Sequence, residues 1–502
     1  MQDMGERFLQ KANGDGFEIR DCPRIPILEL GELVKAGIEK GLRISSLFGF
    51  KDDSSVLTLA CILADDSAGN LEILLADAPA VYPCLTAASP QAHWFEREIH
   101  EQWEIVPQGH PWLKPVRKWQ SKATAPQTPS VGKTEFFSMN GEAVHEVAVG
   151  PVHAGIIEPG HFRFQCHGET VYHLEIALGY QHRGIERALK DGPDKRTCHY
   201  LETLAGDTSV SHATAGCTLM ESLAGIQVPP RAQALRGIAA ELERMANHIG
   251  DLGAMAGDVG FLPTLSFCGR IRGDVLNLTA MICGNRFGRG IVVPGGAGWD
   301  LTPGHADQML KRLETVYKDA ESAIELLFSA PSVLARFENT GKIQKSTAQS
   351  IGLVGPAARA SGLTQDIRIF HPYGIYRSQA LSLPARNAGD CFARAYIRWL
   401  EIKESTHLIR DMLQDMPRGA VTRPWDGKLL PGKMAIALTE GWRGEICHAA
   451  ATDSSGKFLF YKVVDPSFHN WFGLAMAMRN QQISDFPLCN KSFNLSYCGH
   501  DL

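Results

Sequence analysis

Val228-Pro-Pro-Arg-Ala-Gln233, followed by Glu241-Leu-Glu-Arg-Met-Ala-Asn-His248, is the stretch whose reading decides the fold. Leu235, Ile238, Leu242, Met245 and Ile249 recur at alternating steps of three and four, which predicts one apolar stripe on a helix over Arg231–Ile249. The preceding Val-Pro-Pro suits a helix start, because proline at the first helical position lacks only an N–H that would have no partner there. Glu241, Arg244 and His248 share a second stripe. From the residues alone this stripe reads as a solvated face carrying an ordinary Glu–Arg pair.

On the N-terminal side, Ser55–Leu63 and Leu71–Leu75 are β-rich runs, and Ile27–Lys40 has helical spacing. A small α/β domain is expected over residues 1–119. Gln120–Lys133 is poor in apolar residues and reads as a linker. A β-like run covers Glu135–Glu175, helical patterns dominate as far as Gln414, and β-like segments return at Lys433–Thr439 and Lys457–Val464. The chain of 502 residues has 44% hydrophobic and 21% charged residues, an ordinary globular composition. Its net charge of −5 argues against a nucleic-acid binder. No apolar run approaches the length of a bilayer-spanning helix, and Met1–Asp21 lacks a signal-peptide core. The 12 cysteines include no C-x-x-C pair, which argues against a structural zinc site or an iron–sulfur cluster held by this chain.

Further motifs flank the helix. Ala148–Arg163 (AVGPVHAGIIEPGHFR), Gly179-Tyr-Gln-His-Arg-Gly-Ile-Glu186, Gly355-Pro-Ala-Ala-Arg-Ala-Ser-Gly362 with Asp366 and Arg368, Gly389-Asp390 with Arg394, Arg398 and Glu401, Arg443-Gly-Glu445 and Ser484-Asp485 follow in order. The series resembles the large subunit of energy-converting nickel–iron hydrogenases, of the formate hydrogenlyase and hydrogenase-4 type, and the quinone-site large subunit of respiratory complex I. Glu96-Arg-Glu-Ile-His-Glu101 and Gly109-His-Pro-Trp-Leu113 are similar to a signature of the small complex I subunit of the quinone-reducing arm, fused ahead of the large one. The resemblance implies an α+β chain: the small N-terminal α/β domain (1–119), the linker (120–133), and a large mainly α-helical hydrogenase-like core with peripheral β segments (134–502).

Hydrogenases of this family hold nickel and iron on four thiolates in two C-x-x-C pairs. Counting along the motifs places those positions at Ala205 and Thr208, and at Ser496 and Gly499. The implied consequence is that no metal is held here and that a nickel–iron centre is not expected. Cys217 and Cys498 lie nearby and read as packing thiols. In complex I the same cavity takes a quinone headgroup, with a tyrosine that counts onto Gly206. The resemblance therefore implies Glu158, Asp207 and His212 as proton-transfer candidates. It further implies His182 and Arg183 beside the iron–sulfur cluster of a partner subunit, and Asp366, Arg368 and Arg443 as cavity wall. Glu158 reads equally as a strand-end carboxylate paired with an arginine, Asp366, Arg368 and Arg443 equally as structural, and His153 and His161 as structural histidines. The implied partners are an iron–sulfur small subunit and antiporter-like membrane subunits, with the chain peripheral on the cytoplasmic side of the inner membrane. Three functions follow: a subunit of a membrane-associated, ion- or proton-coupled oxidoreductase complex that passes electrons from the iron–sulfur partner to quinone or another small acceptor, a non-catalytic scaffold or conformational coupler in such a complex, and a true hydrogenase.

Overall fold

The computed structural model describes residues 7–52, 56–117, 135–155 and 157–502. The expected linker at 120–133 lies outside them. The N-terminal sheet contains β1 (Leu9–Ala12), β3 (Arg24–Ile25), β4 (Arg43–Lys51), β5 (Leu57–Asp65) and β6 (Asn70–Asp77), while the short β2 (Gly16–Glu18) leaves it for another sheet. Its order is β1-β6-β5-β4, antiparallel, with β3 parallel to β6. The continuous apolar runs of β5 and β6 are buried on both faces. Helix α1 (Ile27–Glu39) buries Leu30, Leu33, Val34 and Gly37, the helical repeat seen in the sequence. Helix α2 (His93–Trp103) carries the Glu96–Glu101 signature.

That signature acts as a clamp. Glu96 accepts from the backbone N–H groups of Leu85 (2.8 Å) and Thr86 (2.9 Å), and Arg97 donates to the carbonyls of Lys114 (2.7 Å) and Pro115 (2.9 Å). Glu98 is buried between Arg117 and Lys462, whose Nζ lies 2.7 Å away. Because Lys462 belongs to the C-terminal half, this buried pair joins the two parts of the chain. Burial lowers the Lys462 ammonium to about 8, against the pull of Glu186.

Strands β7 (Val144–Val149), β8 (His161–His167) and β9 (Thr170–Ala177) form an antiparallel sheet in the order β9-β8-β7. The core helices are α3 (Thr197–Glu202), α4 (Ser209–Ala224), α5 (Pro230–Asp258), α6 (Leu262–Cys283), α7 (Pro303–Ser329) and α8 (Cys391–Gln414). Helix α5 starts on Pro230 and packs against α6 on one side and α8 on the other. Its polar stripe is not solvated. Glu241, Arg244 and His248 are 0–1% exposed, because α5 is the central helix and its second stripe meets α8 and a further sheet. That sheet is antiparallel, β12 (Phe458–Val464), β11 (Gly444–Thr452), β10 (Lys433–Gly441), with β2 from the N-terminus at its edge. The sequence reading missed β11, where all nine positions are buried and there is no alternation to read. It also missed the closing helices α9 (Pro466–Ala477), α10 (Phe486–Phe493) and α11 (Tyr497–Asp501).

Candidate functional site

Two loops meet where the ligand-position count points. One runs through Leu204–Thr208 into α4, and the other through Asn494–Gly499 into α11. Arg183 ties them by donating to the carbonyls of Leu204 (2.9 Å) and Cys498 (3.3 Å), and it also reaches Thr203 O at 2.6 Å. Arg443 ties them again. It donates to the Asn494 carbonyl on one side and makes a forked pair with Asp207 on the other, at 2.6 and 2.8 Å. The counted positions hold no thiol. Thr208 Oγ1 accepts from Trp442 Nε1 at 3.1 Å and from Arg443 at 3.3 Å. Ser496 accepts from the Gly499 N–H at 2.9 Å as the cap of α11. At Gly499 a β-carbon would stand 2.7 Å from the Asp465 carboxylate. At Gly206, by contrast, the residue is exposed and an added β-carbon would meet nothing within 4 Å, so this is the mouth of the site.

Glycines place Arg443. Gly355 opens the Gly355–Gly362 motif with φ +65°, and a β-carbon there would lie 2.2 Å from the Arg443 carbonyl. Gly444 faces it with φ +131° and its own β-carbon position 2.8 Å from the Gly355 backbone. The two motifs therefore pack backbone on backbone. This seats the β10–β11 hairpin so that the Arg443 guanidinium stacks 3.8 Å over the Trp442 ring and faces Asp207.

Asp207 is half-buried and Arg443 buried. Burial works against the Asp207 charge, but the Arg443 guanidinium and the Thr208 hydroxyl bond outweigh it and hold the carboxyl below its usual range. Asp465 is buried and likewise held low: His212 Nε2 donates to it at 3.0 Å, and Arg443 adds its charge. Glu158 accepts from the Tyr497 N–H at 3.3 Å and lies beside the Cys498 thiol, which burial pushes up to about 11. Glu158, Asp207, His212, Arg183 and Arg443 thus come together. Asp366 and Arg368 do pair, at 2.7 Å, but in a separate buried network with Glu241 behind β10. His182 bonds the Asp501 carbonyl at 2.7 Å. His153 and His161 hold the carbonyls of Gly160 and Gly150.

Two acids here went unnoticed in the sequence. Asp465, followed by Pro466 and accepting from Ser467 N at 2.8 Å, carries only a helix-cap signal. Glu243 on α5 accepts from the N–H groups of Val210 (2.7 Å) and Ser211 (3.1 Å) at the start of α4, and with Asp207 it lines a cavity of about 20 Å³. Burial pushes its carboxyl from 4.5 to about 7, against those hydrogen bonds. A carboxyl raised on folding contributes stability that is fully present below about 4.5 and lost as pH rises through about 7. Denaturation midpoints taken from pH 4.5 to 8.5 should therefore show the wild type losing roughly 3 kcal/mol relative to Glu243→Gln.

Residues 258–434 match the family described as respiratory-chain NADH dehydrogenase, 49 Kd subunit, and residues 48–128 match its 30 Kd subunit. A carbon monoxide-induced hydrogenase of Rhodospirillum rubrum is 31% identical over 353 residues, which span 70% of this chain and 98% of that one. The chain belongs to the complex I and hydrogenase large-subunit family. Formate hydrogenlyase subunit 5 of Escherichia coli is 27% identical over 83% of this chain and 76% of its own length. The membrane-bound hydrogenase subunit alpha of Pyrococcus furiosus is 28% identical over 70% of this chain and 85% of its own length. This member of the family is an oxidoreductase subunit that carries both complex I segments in one chain. These two relatives are subunits, one of formate hydrogenlyase and one of a membrane-bound hydrogenase. Among its described residues no helix is long and apolar enough to cross a membrane.

Proposed function

We propose that this chain passes electrons from an iron–sulfur partner subunit to a quinone or another small acceptor, at the site between the two loops and without a nickel–iron centre. The observation that carries the reading is the Asp207–Arg443 pair at an open mouth, in the loop to which the motif count assigns the family's metals or quinone. The donor set does not suit nickel and iron. Soft thiolates bridge those metals, whereas these positions offer two hydroxyls already engaged in hydrogen bonds, an alanine and a glycine. It does suit an acceptor that gains negative charge and then protons: Arg443 supplies the counter-charge and Asp207 a carboxylate at the mouth. Reduction of a quinone to the quinol takes up two electrons and two protons. Arg183, exposed beside the Leu204 and Cys498 carbonyls, marks the face for the cluster-bearing subunit, with His182 behind it. Antiporter-like membrane subunits complete the assembly, which keeps this chain peripheral on the cytoplasmic side.

A scaffold needs Arg443 only to bridge the two loops, whereas Asp207, forked onto it and half-buried at the mouth, offers a titratable group to solvent, which favours a working site over a coupler. In the purified complex, Asp207→Asn is expected to lower turnover at least tenfold with assembly intact. Unchanged turnover would replace this reading with the coupler. Stoichiometric nickel by elemental analysis would replace it with a hydrogenase.

A further inference from the structure

Behind the mouth lies a line of polar groups. Asp465 Oδ2 stands 3.0 Å from His212 Nε2, His212 Nδ1 stands 3.1 Å from His448 Nε2, and His448 Nδ1 stands 2.9 Å from the Tyr461 hydroxyl. The four come from the N-cap of α9, from α4, β11 and β12, and none is more than 4% exposed. Packing alone gives no reason to join two imidazoles inside a sheet–helix interface, where aliphatic side chains would avoid all the polar burial.

The polarity of the line follows from chemistry. An ionised carboxylate only accepts, so a neutral His212 carries its proton on Nε2 and its Nδ1 is left to accept. His448 must then donate from Nε2, and its own Nδ1 accepts the Tyr461 O–H. Burial holds His448 neutral, with His212 and Asp465 the charged or titratable groups that face it. Every donor points towards Asp465. Asp465, in turn, packs against the Gly499 backbone, where a β-carbon would stand 2.7 Å from its carboxylate, with Arg443 from the β10–β11 hairpin and Asp207 from its loop acting on it.

We propose that Tyr461, His448 and His212 form a proton relay that ends on Asp465 and supplies the site between the two loops. The proposal rests on reading that site as one of proton-coupled reduction. In one passage Asp465 takes the His212 Nε2 proton, His212 Nδ1 takes the proton of His448 Nε2, and His448 Nδ1 takes that of Tyr461. No electrons move. Asp465 gains one proton, which passes to the reduced acceptor, the Tyr461 oxygen regains one from solvent, and both imidazoles, left with the proton on Nδ1, turn back to the Nε2–H arrangement before the next passage. The solvent end is the thiol pair beside Tyr461, where Cys217 on α4 is hydrogen-bonded to the half-buried Cys198 on α3. Cys447 is the other titratable group facing the phenol. These are positioning and transfer residues, since none except Asp465 reaches the Asn494–Gly499 loop.

Two measurements test the relay. In the full chain with ¹⁵N-labelled histidine, ring shifts assigned with His212→Gln and His448→Gln are expected to show Nε2–H and bare Nδ1 for both residues at neutral pH. In the assembled complex, Tyr461→Phe keeps the ring that packs edge-on against Phe458. It is expected to slow turnover roughly tenfold, to enlarge the solvent deuterium isotope effect and to move the pH profile, leaving assembly unchanged. An Nδ1–H tautomer at either histidine overturns the relay. So does a Tyr461→Phe complex with unaltered turnover and isotope effect, while Asp207→Asn still slows it. If Asp207→Asn is also without effect, the reading of the site falls and the relay falls with it.

Discussion

Arg359→Met is expected to cost the fold about 4 kcal/mol, because it leaves buried carboxylates without their cation. Arg359 is 0% exposed and donates to Glu401 at 2.6 Å, to Glu440 at 2.8 Å and to the Gln365 carbonyl at 2.9 Å. Its neighbours are equally enclosed. Glu401 is shared with His248 at 2.8 Å and lies 3.6 Å from Arg244, while Arg244 donates to the Glu440 and Gly441 carbonyls. This network holds α8, α5 and β10 together, so the loss is global rather than local. Glu401 keeps other donors. Glu440 loses the strongest influence that lowers its pKa, which burial has already pushed up to about 7. In the variant its carboxyl moves higher still and must be protonated in the folded state. Stability lost as pH rises through the folded value makes the variant weaker at pH 8 than at pH 6. Urea denaturation at those two pH values measures both effects, and a loss below 1 kcal/mol would show the network to be dispensable.

The same network shows why sequence patterns carried part of the fold and no more. The stripe Leu235–Ile249 was legible because burial against α6 repeats with the helical period. The stripe Glu241–Arg244–His248 looks the same whether water or a ring of countercharges covers it, and the countercharges come from Arg359, Arg368 and Glu401 far along the chain. Strand β11 hid for the opposite reason: with both faces covered, Gly444–Thr452 has no alternation. In the site, Asp207 and Arg443 could be named from motifs, but not paired. Their pairing depends on the Gly355–Gly444 contact, a backbone approach that no side-chain pattern records. Asp465 stayed hidden because one of its oxygens does what any helix-capping aspartate does. Its other oxygen, on His212, depends on tertiary structure alone.

Arg443→Met in the assembled complex is expected to lower turnover by a factor of roughly 10²–10³, the usual consequence of removing a preorganised donor from developing negative charge. The loss exceeds that for Asp207→Asn because Arg443 serves both carboxylates. Its guanidinium forks onto Asp207 and adds its charge to Asp465, keeping both carboxyls low while the acceptor is oxidised. On the proposed function, electrons that reach the acceptor bring negative charge that competes for the same guanidinium. Asp207 then loses part of its counter-charge, its proton affinity rises, and a proton follows the electron. With methionine at 443 this exchange has no cation to run on, and the Asp207 carboxylate at the mouth repels the reduced form of the acceptor. Arg443→Lys keeps a charge but offers no planar fork, so it should retain an intermediate rate with a shifted pH profile. A complex in which Met and Lys at this position perform alike would show that charge is not what the site requires of Arg443. Stability gives an independent check: Arg443 also donates to the Asn494 carbonyl and to Thr208, so Met should loosen both loops while Lys preserves part of that bridge. Amide exchange across Leu204–Thr208 and Asn494–Gly499 separates that loosening from the loss of charge. Protection retained in the lysine variant but turnover still reduced assigns the difference to the fork onto Asp207.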